Sequence, residues 1–174
     1  MHALNALVKK WELPSPGWVK LNVDGSFVEA SGEAGVGMIL RDADGQVIFL
    51  SCQVLFHYSD ALEAELVACL EGLSLTRQWS ALPISLETDC STAASLVRTT
   101  TPDRSRYVYL IAEVRRLIED GGDVKVTHVR RHQNYVAREL ARIGCEECRT
   151  TVWLRSGPDS ILELVRAEGA PISE

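Results

Sequence analysis

The feature that most constrains the fold is a series of three strand-like segments joined by short turns. Apolar and polar residues alternate over residues 18–25, and further strand-like segments follow at 35–40 and 46–55. The turns at 31–33 and 42–45 contain glycine and acidic residues, which favour tight turns. Turns this short join neighbouring antiparallel strands. The sequence therefore predicts an antiparallel three-stranded meander.

The pattern changes to helical periodicity after residue 60. Apolar residues recur every three or four positions through residue 73, and Ser59 or Asp60 is suited to cap this helix. Further strands are predicted at 84–89 and 124–129, and further helices at 90–98, 107–119 and 134–148. Helical crossovers make the two later strands parallel to neighbours in the sheet. The order βββ-α-β-αα-β-α predicts an α/β fold with a mixed sheet and helices on its faces.

Two of the predicted strands end in a carboxylate. Asp24 ends the first strand and Asp89 ends the fourth. If these strands are adjacent and parallel, their carboxyl ends meet at one edge of the sheet, and oxygen ligands held together suit a divalent cation. Asp-Gly is also a common turn pair, and Asp89 is equally suited to cap the helix that follows it. The pair nevertheless predicts a metal site at this edge.

The charge of the chain is divided between its two halves. Residues 1–97 carry 5 Lys and Arg against 12 Asp and Glu, a local charge of −7. Residues 98–155 carry 12 basic against 8 acidic residues, a local charge of +4. Ordinary fluctuation along a chain also gives such differences. The division is, however, what an acidic cation pocket beside a basic, phosphate-binding surface requires.

Length and hydropathy exclude several classes of protein. A chain of 174 residues is expected to form one domain. No apolar run approaches the roughly 18 residues that span a bilayer, and residues 1–16 lack the apolar block of a signal peptide. The five cysteines are therefore expected as free thiols in a reducing compartment. We expect an intracellular protein of the nucleus or cytoplasm, not a secreted one.

Four short motifs in the same order resemble those of a type 1 ribonuclease H domain. They are Val23-Asp24-Gly25-Ser26, Glu63-Ala64-Glu65-Leu66, Glu87-Thr88-Asp89, and His128-Val129-Arg130-Arg131 followed by Asn134. The strand at 18–26 is similar to the plant, retrotransposon-derived branch of that family. The resemblance covers about residues 18–148. We expect a leader or linker at 1–17, an RNase H-like domain at 18–150, and an extension with a short helix at 151–174.

The resemblance implies a fold, a reaction and a set of site residues. The fold is a five-stranded mixed sheet whose first three strands are antiparallel. The reaction is Mg²⁺- or Mn²⁺-dependent cleavage of the RNA strand of RNA–DNA hybrids, with Asp24, Glu65 and Asp89 as catalytic metal ligands. The substrate-binding residues that it implies are Gly25, Ser26, His132 and Asn134. Arg131 is a further candidate, because it belongs to a cluster of arginines around the start of the last helix that forms either a phosphate contact or a solvated helix face. Asn134 is also suited to cap the helix that it precedes, and Glu63 should face away from Glu65, about 200° around the helix.

The sequence departs from the family pattern at the fourth carboxylate. The family places an Asp four residues after the Asn of the last helix, where this chain has Arg138. Three outcomes are open: Arg138 expels the second cation, it turns outward and leaves a site for one ion, or it pairs with Asp24 and Asp89 and no metal binds. The alternative to an active ribonuclease is therefore a catalytically degenerate domain that binds nucleic acid or a protein.

Overall fold

The computed structural model describes residues 10–56 and 58–169, which form six strands and five α-helices. Residues 1–9 of the predicted leader and 170–174 of the predicted extension lie outside the described residues. In chain order the elements are β1 (Val19–Val28), β2 (Glu33–Arg41), β3 (Val47–Leu55), α1 (Ala61–Trp79), β4 (Ile84–Thr88), α2 (Ser91–Arg98), α3 (Val108–Asp120), β5 (Val124–His128), a 3₁₀ turn (Arg131–Gln133), α4 (Tyr135–Glu146), β6 (Thr151–Leu154) and α5 (Asp159–Ala167). Among the described residues, no helix combines the length and the hydropathy needed to cross a membrane.

The sheet is mixed, with the strand order β5-β4-β1-β2-β3-β6. The predicted antiparallel meander is confirmed in β1, β2 and β3, and β4 runs parallel to both β1 and β5. The prediction of five strands is wrong, because β6 pairs antiparallel with the outer edge of β3. This short strand consists of Thr, Val, Trp and Leu, residue types that favour strands. Pairing with β3 also packs Trp153 against the core.

Helices cover both faces of the sheet. Neighbouring residues of a strand point to opposite faces, and in β2 Met38 belongs to one hydrophobic cluster while Ile39 belongs to another. The first cluster also contains buried side chains of α1, α2 and α3, and the second contains those of α4 and α5. The site residues on β1 therefore lie in a sheet that is packed from both sides.

A buried arginine joins the two ends of the described chain. Arg41, at the end of β2, is 1% exposed, and its guanidinium carbon lies 3.6 Å from the centre of the Trp11 ring. Its Nη1 donates a hydrogen bond to Oε2 of Glu168, just after α5, at 2.5 Å. Trp11 in turn donates its indole N–H to Asn22 of β1 at 3.0 Å. One charged side chain therefore holds both the segment before β1 and the last helix against the sheet.

Replacing Glu168 by Gln should lower the free energy of unfolding by about 3 kcal/mol, because the charge of Arg41 then stays buried without its counter-ion. Urea denaturation measures this change. The matched control is Glu163→Gln, which alters an exposed residue of the same helix and should change the unfolding free energy by less than about 0.5 kcal/mol. Equal stability of the two variants would contradict the role given to Arg41.

Candidate active site

The register between β1 and β4 places two carboxylates side by side. The two strands are parallel and pair as far as Val23 with Thr88. The next residues along the chain are Asp24 and Asp89. Asp89 follows the end of β4, but the prediction that Asp24 ends the first strand is wrong, because β1 continues to Val28 by pairing with β2. The adjacency assumed from the sequence is therefore present in the structure.

The third carboxylate comes from α1, which packs closely on β1. A Cβ atom on Gly25 would lie 2.6 Å from both the carbonyl carbon of Ala64 and the backbone nitrogen of Glu65, so only glycine permits this approach. The backbone of Gly25 also forms a hydrogen bond with the carboxylate of Glu65. Glu65, Asp24 and Asp89 each place one oxygen atom so that all three lie within 4.8 Å of one another.

Glu63 does not join this cluster. Its carboxylate accepts hydrogen bonds from the backbone N–H and the hydroxyl of Ser59, while its own N–H donates to Asp60, the residue that caps α1. The orientation predicted from the helical spacing is therefore confirmed. Sequence spacing alone was sufficient here because both residues lie in one regular helix.

Burial and neighbouring negative charges make Asp24 and Glu65 costly to ionise. Burial, followed by the charges of Glu65 and Asp89, raises the pKa of Asp24. Burial and the charge of Asp89 likewise raise the pKa of Glu65. Oε2 of Glu65 is buried and has no hydrogen-bond partner among the described residues. Divalent cations such as Mg²⁺ are bound by hard carboxylate oxygens that lie close together. These three residues therefore fit such an ion.

Arg138 lies at the side of this cluster. Its Nε is 3.8 Å from Oδ2 of Asp89, and its side chain is 36% exposed. Its positive charge lowers the pKa of Glu65, although burial and Asp89 outweigh this effect. Glu139, the next residue, pairs instead with Arg142 at 3.0 Å. Arg138 is therefore a partial counter-ion to Asp89, at the rim of the site.

The carboxylates open into a cleft of about 630 Å³. Gly25, Ser26 and Arg131, all predicted to bind substrate, line this cleft. Arg138 and Arg142 add two further positive charges to the same lining. The cleft thus joins an acidic floor to basic walls, as the division of charge along the sequence predicts.

Two other residues predicted to bind substrate lie away from the cleft. Asn134 is 1% exposed; its amide donates to the carbonyl of Val23 at 2.8 Å, and its own carbonyl oxygen accepts from Asn22 at 3.1 Å. It occupies the cap position of α4, but its side chain makes no capping hydrogen bond, because these two partners use its polar atoms. His132 lines a separate groove together with Trp11. The side chain of Asn134 is thus bonded within the domain, and His132 is outside the cleft lining.

Sequence reasoning missed two residues at this site. Cys90, not Asp89, caps α2, because its Sγ accepts from the backbone N–H of Ala93; this arrangement leaves the carboxylate of Asp89 for the cluster. Tyr135 lines the cleft and is 43% exposed. An aromatic residue at the start of a helix is also typical of a packed core, so the sequence carried no distinguishing signal for Tyr135.

Comparison with known families agrees with this arrangement. Residues 22–144, more than half of the chain, match the family described as reverse transcriptase-like. The chain belongs to this family. An Arabidopsis thaliana protein named as a ribonuclease H protein is 28% identical over 131 residues, which are 75% of this chain and 21% of that protein. The chain thus spans about a fifth of the length of this relative.

Solved structures show the same fold. RNase H1 of Halobacterium salinarum is similar with a TM-score of 0.69 and 22% identity, over 75% of this chain and 99% of that chain. LC11-RNase H1, isolated from compost and solved in complex with an RNA/DNA hybrid, is similar with a TM-score of 0.68 and 15% identity, over 75% of this chain and 98% of that chain. The chain therefore has an RNase H-like fold.

Without divalent cations, the stability of the domain should fall as the pH rises from about 5 to about 8, by about 1 kcal/mol per pH unit. The raised pKa values of Asp24 and Glu65 mean that the folded state binds more protons than the unfolded state above the ordinary values of 3.8 and 4.5. Urea denaturation in EDTA across this pH range measures the slope.

Asp24→Asn should make this slope shallower, because one carboxyl with a raised pKa is removed. Asp44→Asn is the control, since Asp44 is an exposed turn residue and should leave the slope unchanged. A stability that rises with pH in the unmodified chain would contradict the electrostatic description of the cluster.

Proposed function

We propose that this RNase H-like domain cleaves the RNA strand of RNA–DNA hybrids endonucleolytically, using Mg²⁺ or Mn²⁺ in the acidic cleft. The observation that carries the proposal is the convergence of Asp24, Glu65 and Asp89 within 4.8 Å. The names of the Arabidopsis relative and of the structure bound to an RNA/DNA hybrid support the same substrate. The similarity to the Arabidopsis protein also supports an origin in plants, while the retrotransposon-derived branch is proposed from the strand at residues 18–26.

The chemistry assigns a separate role to each part of the cleft. A divalent cation lowers the pKa of a bound water molecule and stabilises the leaving oxygen, which here leaves a 3′-hydroxyl on the RNA. Asp24, Glu65 and Asp89 each bring one oxygen atom within 4.8 Å of the others, so these three carboxylates would hold the cation. The backbone of Gly25 keeps the carboxylate of Glu65 in place.

The basic walls would hold the substrate. Arg131, Arg138 and Arg142 line the same cleft as the carboxylates, and guanidinium groups bind phosphate oxygens in two-point contacts. Arg142 is already paired with Glu139 and Glu146. Arg131 and Arg138 are therefore the stronger candidates for contact with the backbone on either side of the cleaved bond.

Charge balance favours one bound cation. The three carboxylates carry three negative charges when ionised, and Arg138 offsets one of them from 3.8 Å. One divalent cation neutralises the remainder, whereas a second would add uncompensated positive charge beside the guanidinium. At an effective dielectric constant near 20, a unit charge about 4 Å away is worth about 4 kcal/mol. This proposal is the first of the three outcomes that the sequence leaves open for Arg138, in which its charge expels the second cation.

The purified chain should cleave a labelled RNA–DNA hybrid when Mg²⁺ or Mn²⁺ is added and should leave duplex DNA intact. Asp24→Asn should reduce the rate at least about a hundredfold, because the central ligand loses its charge. Asp44→Asn is the matched control and should cleave at the unmodified rate. Cuts in the RNA strand are read on a denaturing gel. The absence of cuts by a folded chain with either metal would contradict the proposed reaction.

A second candidate function is a domain that binds nucleic acid without turnover. The observation that favours it is the position of Arg138, which already supplies a positive charge beside Asp89. If this charge excludes the cation completely, the basic walls remain able to hold a phosphate backbone, while no water is activated. The two functions therefore differ in whether Arg138 reduces the number of bound ions to one or to none.

Arg138→Asp should raise the number of bound Mn²⁺ ions and increase the cleavage rate about tenfold or more, because it replaces a positive charge with a further carboxylate ligand. Calorimetry gives the stoichiometry, and the hybrid assay gives the rate. Arg155→Asp, at an exposed position after β6, controls for the change in net charge. One ion in the unmodified chain supports the ribonuclease. No ion there and one in the variant supports the binding domain, and no change in either measurement contradicts the role of Arg138.

A further inference from the structure

A mainly apolar groove lies beside the cleft and takes no part in the proposed chemistry. Its volume is about 350 Å³, and its lining includes Trp11, Leu164 and Lys10. Tyr135 belongs to the lining of both the groove and the cleft, and its side chain is 43% exposed. The groove therefore continues the cleft past this aromatic ring.

The composition of the groove suits a flat aromatic ligand that carries a negatively charged group. Tyr135 presents an exposed ring, and His132 and Lys10 add ring nitrogens and a cation to the lining. The one acidic residue of this lining, Glu168, is already paired with the buried Arg41. Aromatic side chains bind nucleobases by stacking, with little dependence on the identity of the base. A volume of about 350 Å³ lies at the lower end of small-molecule sites, which matches a single nucleoside better than a helix of a partner protein.

The fixed surroundings of Trp11 indicate that the groove is preformed. One contact of its ring is the guanidinium of Arg41 at 3.6 Å, and its indole N–H is bonded to Asn22. The backbone carbonyl of Lys10 accepts a hydrogen bond from Gln133, which ties this wall to the 3₁₀ turn. A ligand would therefore enter without first ordering these walls, so little binding energy would be spent on ordering them.

We infer that this groove binds an unpaired nucleobase from a single-stranded extension of the nucleic acid in the cleft. The inference rests on the proposed function for the presence of that nucleic acid. A paired base is covered by its neighbours in the duplex, so only an unpaired base exposes a face to Tyr135. Lys10, in the lining of the same groove, would offer its charge to the backbone phosphate of that nucleotide.

A hybrid with a short single-stranded overhang should bind about tenfold more tightly than the same hybrid with blunt ends, as expected for one stacked base. The measurement uses the full chain with Asp24→Asn, so that the substrate stays intact. Overhangs are placed in turn on each end of each strand, and each carries 2-aminopurine, whose fluorescence is quenched by stacking.

Tyr135→Ala should remove both the preference for the overhang and the quenching, and Tyr135→Phe should retain both, because stacking needs only the ring. Tyr109→Ala is the matched control, since Tyr109 is an 87% exposed tyrosine on α3. Circular dichroism establishes that each variant is folded. Equal affinity for blunt and extended hybrids, or a preference that persists in Tyr135→Ala, would overturn the inference.

Failure of the proposed function is distinguishable from failure of this inference. If the chain does not bind a blunt hybrid, the proposed substrate is wrong. In that case, quenching of a single-stranded oligonucleotide that depends on Tyr135 would still support base binding in the groove. The absence of such quenching would overturn the inference. A groove that instead contacts a second copy of the chain would give a dimer in sedimentation, and loss of that dimer in Tyr135→Ala would also overturn the inference.

Discussion

The parallel pairing of β1 with β4 is the constraint on which the site depends. A shift of one residue along either strand would turn its carboxylate to the other face of the sheet. Buried hydrogen bonds directly behind the site oppose such a shift: Asn22 donates to Glu87 of β4 at 3.0 Å and to Asn134 at 3.1 Å, and Asn134 donates to the carbonyl of Val23. Because one side chain links β1, β4 and the start of α4, all three elements keep one relative position.

That rigidity has an energetic consequence for the free domain. Burial and the neighbouring charges disfavour the ionised forms of Asp24 and Glu65, so both would turn to water if the backbone allowed it. The close approach of Gly25 to α1 prevents Glu65 from moving away. The fold therefore holds repelling carboxylates close together, and a bound cation would relieve this repulsion. Proteins often lose some stability at a functional site in this way.

The sequence predicted those features that depend on regular geometry. Strand alternation located Asp24 and Asp89, and helical spacing separated Glu65 from Glu63. What it could not predict depends on tertiary pairing. The short β6 has too few residues to show alternation and becomes a strand only beside the open edge of β3. The side chain of Asn134 suits a helix cap or a ligand contact equally, and only the buried partners supplied by β1 decide its role.

The contacts of Arg41 bear on how this domain can be rearranged. Trp11 and Glu168 touch the same guanidinium, so the two ends of the described chain lie next to each other although 157 positions of sequence separate them. Domains whose ends meet in this way tolerate circular permutation and insertion into loops of other proteins. A short linker would therefore close the described residues 10–169 into a ring, and this ring could be reopened at the exposed turn between β1 and β2 without cutting any strand that carries the carboxylates.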